Sequence, residues 1–169
     1  EFQEQGKLLE AIDEYGKVLE LDPVFVDAYT NRGAVYTDLG KYQKAIQDYD
    51  QVIQLKPANE KAYSNRGNLH AGLGEPDLAL GDYSQAIRIA PQDPEYYHRR
   101  ANVYARLGQK DLALQDYAEA IRLDPSISAV FIDRGKYNGN MNQHQQALGD
   151  FTEAIRLDSD NREAFALRS

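Results

Sequence analysis

Residues 28–57, AYTNRGAVYTDLGKYQKAIQDYDQVIQLKP, carry two helical patterns in succession. Tyr29, Gly33 and Tyr36 share one face at helical spacing, and Ala45, Tyr49, Val52 and Ile53 do the same in a second segment. Leu39-Gly40 between them reads as a helix stop. Pro57 closes the second segment, because proline has no N–H and disfavours helix at the residue before it. The stretch is therefore a helical hairpin. It also recurs: Pro23, Pro57, Pro91 and Pro125 are spaced by 34 residues, with Ser159 on the same beat. Numbering the period from Val26, position 4 is Tyr29, Tyr63, Tyr97, Phe131 and Phe165. Position 20 is Ala11, Ala45, Ala79, Ala113 and Ala147, and position 24 is Tyr15, Tyr49, Tyr83, Tyr117 and Phe151. Position 8 is small throughout (Gly33, Gly67, Ala101, Gly135, Ser169), which lets two helix axes approach while the rings fill the space alongside.

Composition narrows the function classes. The chain of 169 residues has 19 Lys and Arg against 27 Asp and Glu, a net charge of −8, which argues against general nucleic-acid binding. No apolar run approaches the roughly 20 residues that cross a bilayer, so membrane insertion is not expected. The absence of cysteine excludes disulfides, thiolate metal sites and cysteine nucleophiles, and leaves the compartment undecided. His70, His98 and His144 fall at different positions of the period. No HExxH, nucleophile elbow, Walker loop or dinucleotide fingerprint is present, so neither catalysis, metal nor cofactor is expected.

The 28–57 stretch closely resembles the tetratricopeptide repeat (TPR), as do AYSNRGNLHAGLGEPDLALGDYSQAIRIAP (62–91) and YYHRRANVYARLGQKDLALQDYAEAIRLDP (96–125). The resemblance spans essentially the whole chain. It implies an all-α, right-handed superhelical solenoid of antiparallel helix pairs, whose first helices line a concave groove that holds a peptide or a partner's helix. The expected repeats are 26–59, 60–93, 94–127 and a divergent 128–161. Residues 1–25 would supply the second helix of a further pair, and 162–169 the opening turns of another.

Three polar features invite a functional reading. Arg32, Arg66, Arg100, Arg134 and Arg168 share position 7, and Glu14, Asp48, Asp82, Asp116 and Asp150 share position 23. An arginine ladder for anionic ligands is conceivable, but strict co-occurrence with the acids favours an ion pair inside each hairpin. The family's groove-facing positions give the second feature: Asn31, Lys61, Asn65, Asn68, His98, Arg99, Asn102, Arg106 and Lys136 are the candidate peptide-binding residues. Asparagine amides both donate to and accept from a peptide backbone. Position 12 (Thr37, Ala71, Ala105, Gly139) is small enough to leave room for a chain. The carboxylate clamp of the family's chaperone adaptors is not expected, because Thr30, Ala34 and Glu95 stand where Lys, Asn and Lys would be needed. What remains is a local basic cluster of His98, Arg99 and Arg106, able to hold one acidic group.

The third feature is the divergent repeat. Asn138 replaces the ring of Tyr36 and Tyr104, Gly139 falls inside a helical pattern, and Asn142 replaces the stop glycine, so this hairpin is expected to fray first. His70, at the same position as Asn138, reads as a packed histidine rather than a ligand. The function that follows is a non-enzymatic scaffold for a protein or peptide partner. The alternatives are a spacer that self-associates head to tail through its half-repeats, or the regulatory arm of a larger protein.

Overall fold

A computed structural model describes residues 2–168, and side chains from Gly6 onward. Glu1 and Ser169, the last of the small residues at position 8, lie outside the described residues. All described secondary structure is helical, in ten helices that form two compact units. The first unit runs to Pro91 and holds α1 (Phe2–Leu21), α2 (Val26–Asp38), α3 (Tyr42–Leu55), α4 (Glu60–Leu73) and α5 (Pro76–Ile89). The second begins at Gln92 and holds α6 (Pro94–Arg106), α7 (Lys110–Leu123), α8 (Ser128–Asn140), α9 (His144–Leu157) and α10 (Arg162–Arg168). The closest packing is within the hairpins α2–α3, α4–α5, α6–α7 and α8–α9.

Each hairpin closes over the contact that the small column allows. A Cβ added at Gly33 would lie 3.1 Å from the Tyr49 ring, and one at Gly67 would lie 3.0 Å from the Tyr83 ring. At Gly135 it would come to 2.6 Å from Phe151, so only glycine fits there without movement. Around these crossings Ala45, Ala79, Ala113, Tyr49, Tyr83 and Tyr117 are buried.

The same crossing holds an ion pair in every complete hairpin. Arg32 donates to Asp48 from Nε at 2.8 Å and from Nη2 at 2.7 Å. Arg66 meets Asp82 at 3.0 and 2.6 Å, Arg100 meets Asp116 at 2.7 and 2.9 Å, and Arg134 meets Asp150 at 3.1 and 2.6 Å. All four aspartates are buried. The guanidinium carbons also lie over the position 4 rings of Tyr29, Tyr63, Tyr97 and Phe131, at 5.6, 5.7, 5.9 and 5.6 Å. The arginine column is thus structural and is not a free ladder of cations. Glu14 in α1 is bonded to Lys17 instead, at 2.6 Å.

The divergent hairpin keeps the helix stop that its sequence puts in doubt. α8 ends at Asn140, so Gly139 lies in the last turn, outside the helix interior where glycine is costly. Asn142 takes φ 57°, the left-handed conformation that Gly40, Gly74 and Gly108 adopt at φ 69°, 78° and 70°. Asparagine is the non-glycine residue that reaches this region most readily, so the stop survives. The Gln143 amide then donates to the Asn138 carbonyl at 2.9 Å, matching Lys41 to Tyr36 at 2.8 Å. Asn138 is itself buried and donates from Nδ2 to Asp150 at 3.0 Å, joining the ion pair. These three substitutions leave the hairpin's hydrogen bonding intact.

Candidate functional site

The candidate groove residues lie on the first helices of the hairpins, and buried tyrosines reach several of them from beneath. In the first unit Asn31 (α2) and Lys61 (α4) are exposed, while Asn65 and Asn68 (α4) are half-buried. The Tyr83 hydroxyl donates to Asn68 Oδ1 at 2.7 Å. Burial pushes the Tyr49 hydroxyl up in pKa, against the opposing effect of its hydrogen bonds with Thr37 and Asn65. These asparagines are therefore oriented from the core and do not hang free on a solvated face.

The second unit carries a longer network. The Tyr117 hydroxyl donates to Asn102 Oδ1 at 2.5 Å, and Asn102 Nδ2 donates to Asp133 Oδ2 at 3.0 Å. His98 Nε2 lies 2.8 Å from the same Asp133 oxygen. Burial alone would raise the Asp133 carboxyl, but the hydrogen bonds from His98 and Asn102 outweigh it and hold the group below its ordinary pKa. Burial raises the Tyr117 hydroxyl, with the Asp133 charge adding to the effect. In the next hairpin Phe151 replaces the tyrosine and Lys136 replaces the asparagine. Lys136 Nζ bonds Glu163 at 2.6 Å and lies 4.0 Å from Asp133.

The basic cluster read from the sequence is accordingly not an open anion site. His98 is bonded to Asp133, Arg99 is paired with Glu95 one helical turn away, and only Arg106 of the three is exposed. Arg106, Asn102, Asp133, Lys136, Asn140 and Tyr137 line an open pocket between α6 and α8. The Tyr137 hydroxyl is the one buried side-chain polar atom without a hydrogen-bond partner among the described residues. Tyr83 and Tyr117 bond candidate residues and Tyr137 lines the pocket beside them, and none of the three was singled out from the sequence for it. The signal that could have found two of them is the pairing of a position 24 tyrosine with a position 9 asparagine in the repeats 60–93 and 94–127, which Tyr49 with Ala34 and Phe151 with Lys136 do not share.

His70 is half-buried, with Nδ1 2.6 Å from Glu75 and Nε2 3.9 Å from Asp82. Among the described residues no group of three His, Asp or Glu side chains is placed to hold a metal ion, and no helix is long and apolar enough to cross a membrane.

Comparison with known proteins agrees with this architecture. A model of the TPR repeat matches residues 1–39 and 33–74, and tetratricopeptide repeat models match 60–93 and 94–127. No curated protein matches the sequence. Among solved structures, MamA superposes with a TM-score of 0.84 at 24% identity, covering 93% of this chain and 92% of that one. MamA from Desulfovibrio magneticus RS-1 gives 0.84 at 22%, covering 95% and 90%. YrrB, described as a TPR protein with an unusual peptide-binding site, gives 0.79 at 25%, covering 95% and 83%. The MamA likenesses bear on the fold alone, an all-α TPR solenoid.

Proposed function

The chain belongs to the tetratricopeptide repeat family, and from that premise we propose that it is a non-catalytic scaffold whose groove-facing residues bind an extended segment of a partner protein. Family members are in general protein-interaction scaffolds, which supports the coarse reading. We take 26–59, 60–93, 94–127 and 128–161 as its repeat units.

The observation that carries the finer reading is the Tyr137 hydroxyl, buried and unpartnered beside the pocket of Asn102, Arg106 and Lys136. A buried polar group left without a partner costs about 1–3 kcal/mol, a penalty that is relieved when the ring turns its hydroxyl onto a bound peptide group. Oriented amides at Asn68 and Asn102 supply backbone contacts without a large ordering cost. Because the neighbouring cations are largely paired with acids, the partner is held through its backbone more than through its charge.

The test uses an extended peptide selected from a random library against the wild-type chain. Tyr137→Phe should weaken its binding about tenfold, equivalent to about 1.4 kcal/mol, while raising the thermal stability of the free protein. Replacing Asn31 and Asn65 with alanine should also weaken the peptide while leaving helicity unchanged. Equal affinity for wild type and all three substitutions sinks the groove reading. A second reading, end-to-end self-association, draws on the exposed Phe165 and Leu167 of α10. Light scattering that finds a monomer at every concentration removes it.

A further inference from the structure

In two hairpins an aromatic ring at position 11 completes a stack on the half-buried arginine. Arg32 lies over Tyr36 at 5.8 Å as well as over Tyr29, and Arg100 lies over Tyr104 at 5.8 Å as well as over Tyr97. The Tyr36 ring also carries Lys44 Nζ at 5.6 Å, so it fills the space between positions 7 and 19 of its repeat. In the α8–α9 hairpin position 11 is Asn138, a shorter side chain turned onto Asp150. The corresponding pair, Arg134 and Gln146, lines an open pocket with Phe131, Asn138, Gln143 and Gly149.

Position 22 follows the same alternation. Hairpins with the tyrosine have Gln47 and Gln115 there, and the hairpin with Asn138 has Gly149. A Cβ added at Gly149 would meet nothing within 4 Å. The pocket is thus open at the place where this chain puts a tyrosyl ring in the repeats of Tyr36 and Tyr104. Arg134 retains Phe131 under its guanidinium, at 5.6 Å.

We propose that this pocket is a second interaction site, which takes a tyrosine side chain of a partner polypeptide and stacks its ring on Arg134 in the place that Tyr36 and Tyr104 occupy in their own hairpins. The chain's own repeats identify the occupant: the same guanidinium, aspartate and position 4 ring accept a tyrosine from within. A cation beside an aromatic face is an attractive pair, and more so where water is partly excluded. Gln143 and Gln146 at the pocket give the phenol oxygen amide partners. None of these residues belongs to the groove set, so a partner could engage both sites together and gain avidity from the linkage.

The experiment is a nuclear magnetic resonance titration of the full chain with a capped Gly-Tyr-Gly peptide, a capped Gly-Leu-Gly peptide and free p-cresol. The Tyr peptide should shift the Arg134 side-chain and Gln146 amide signals, saturating with a Kd on the order of 1 mM, as a single ring in an open site allows. The Leu peptide should not. Asn138→Tyr should abolish the shifts by supplying the ring internally. Gly149→Gln, which copies Gln115 of the neighbouring repeat, should weaken binding several-fold and serves if the first variant fails to fold. Equal shifts with the Leu peptide, or binding untouched in both variants, would overturn the proposal. So would binding of p-cresol without binding of the Tyr peptide, since the pocket would then serve a free aromatic molecule. Saturation by the Tyr peptide, lost in either variant, upholds it whether or not the groove binds anything.

Discussion

Removing the acid from one buried ion pair tests the central packing argument. Asp116 is the choice because its side chain is 7% exposed, and Arg100 opposite is 19% exposed. Two charges about 4 Å apart attract by about 4 kcal/mol at an effective dielectric of 20. Asp116→Leu forfeits that attraction and leaves the guanidinium desolvated. Breaking a buried pair from one side costs about 3–5 kcal/mol when burial is complete. Here the arginine keeps some solvent and its two rings, Tyr97 and Tyr104, so the expected loss falls to about 2–3 kcal/mol. The double variant Arg100→Met, Asp116→Leu removes the stranded charge and should recover most of the loss, to within about 1 kcal/mol of wild type. Urea unfolding followed by far-ultraviolet circular dichroism measures all three proteins, fitted with nearest-neighbour terms because repeat arrays depart from two-state behaviour. The deficit should persist in high salt, where exposed pairs such as Arg122–Glu119 are screened. A single variant within about 0.5 kcal/mol of wild type would refute the reasoning, as that is what a surface pair is worth. So would a double variant no better than the single one.

Two further outcomes follow from the same geometry. Gly135→Ala should destabilise by about 1–3 kcal/mol, since its Cβ would press on Phe151, whereas Gly149→Ala should stabilise by about 0.5–1 kcal/mol through helix propensity alone; thermal melts that fail to rank wild type between them contradict the crossing geometry. Asp133 has a folded pKa below its unfolded value, so its contribution to stability is full above about pH 4 and is lost as pH falls through the folded pKa. Carbon-13 carboxyl titration should find it low in wild type and higher in Asn102→Ala; an unmoved value would remove Asn102 from the network.

Contacts made inside one period were legible in the sequence. The Arg32–Asp48 pair and its three counterparts join positions that never vary in type, and Gly33 and Tyr49 meet because both columns belong to one crossing. The groove was harder to read, because a polar side chain's partner there often lies in another repeat. His98 reaches Asp133, 35 positions on, and Lys136 reaches Glu163, so cations that look available in the sequence are engaged in the fold. The divergent repeat was harder to read for a different reason. Each substitution was weighed alone, although Asn142 can adopt the glycine's backbone conformation and Asn138 can bond the aspartate that the missing ring would have covered. The alternation of Tyr36 and Tyr104 with His70 and Asn138, matched by Gln47 and Gln115 against Gly81 and Gly149, is visible in the sequence and acquires meaning only beside the stacked arginines.

Each buried aspartate finds its arginine sixteen residues earlier in the chain, inside the same hairpin. Loop closure over so short a span is entropically cheap, and chains dominated by such local pairings fold quickly. During synthesis a hairpin can therefore neutralise its own buried charge as soon as its second helix has emerged, while the remainder of the chain is still unmade. A nascent chain that has left the ribosome as far as Leu123 contains both Arg100 and Asp116 within one finished hairpin.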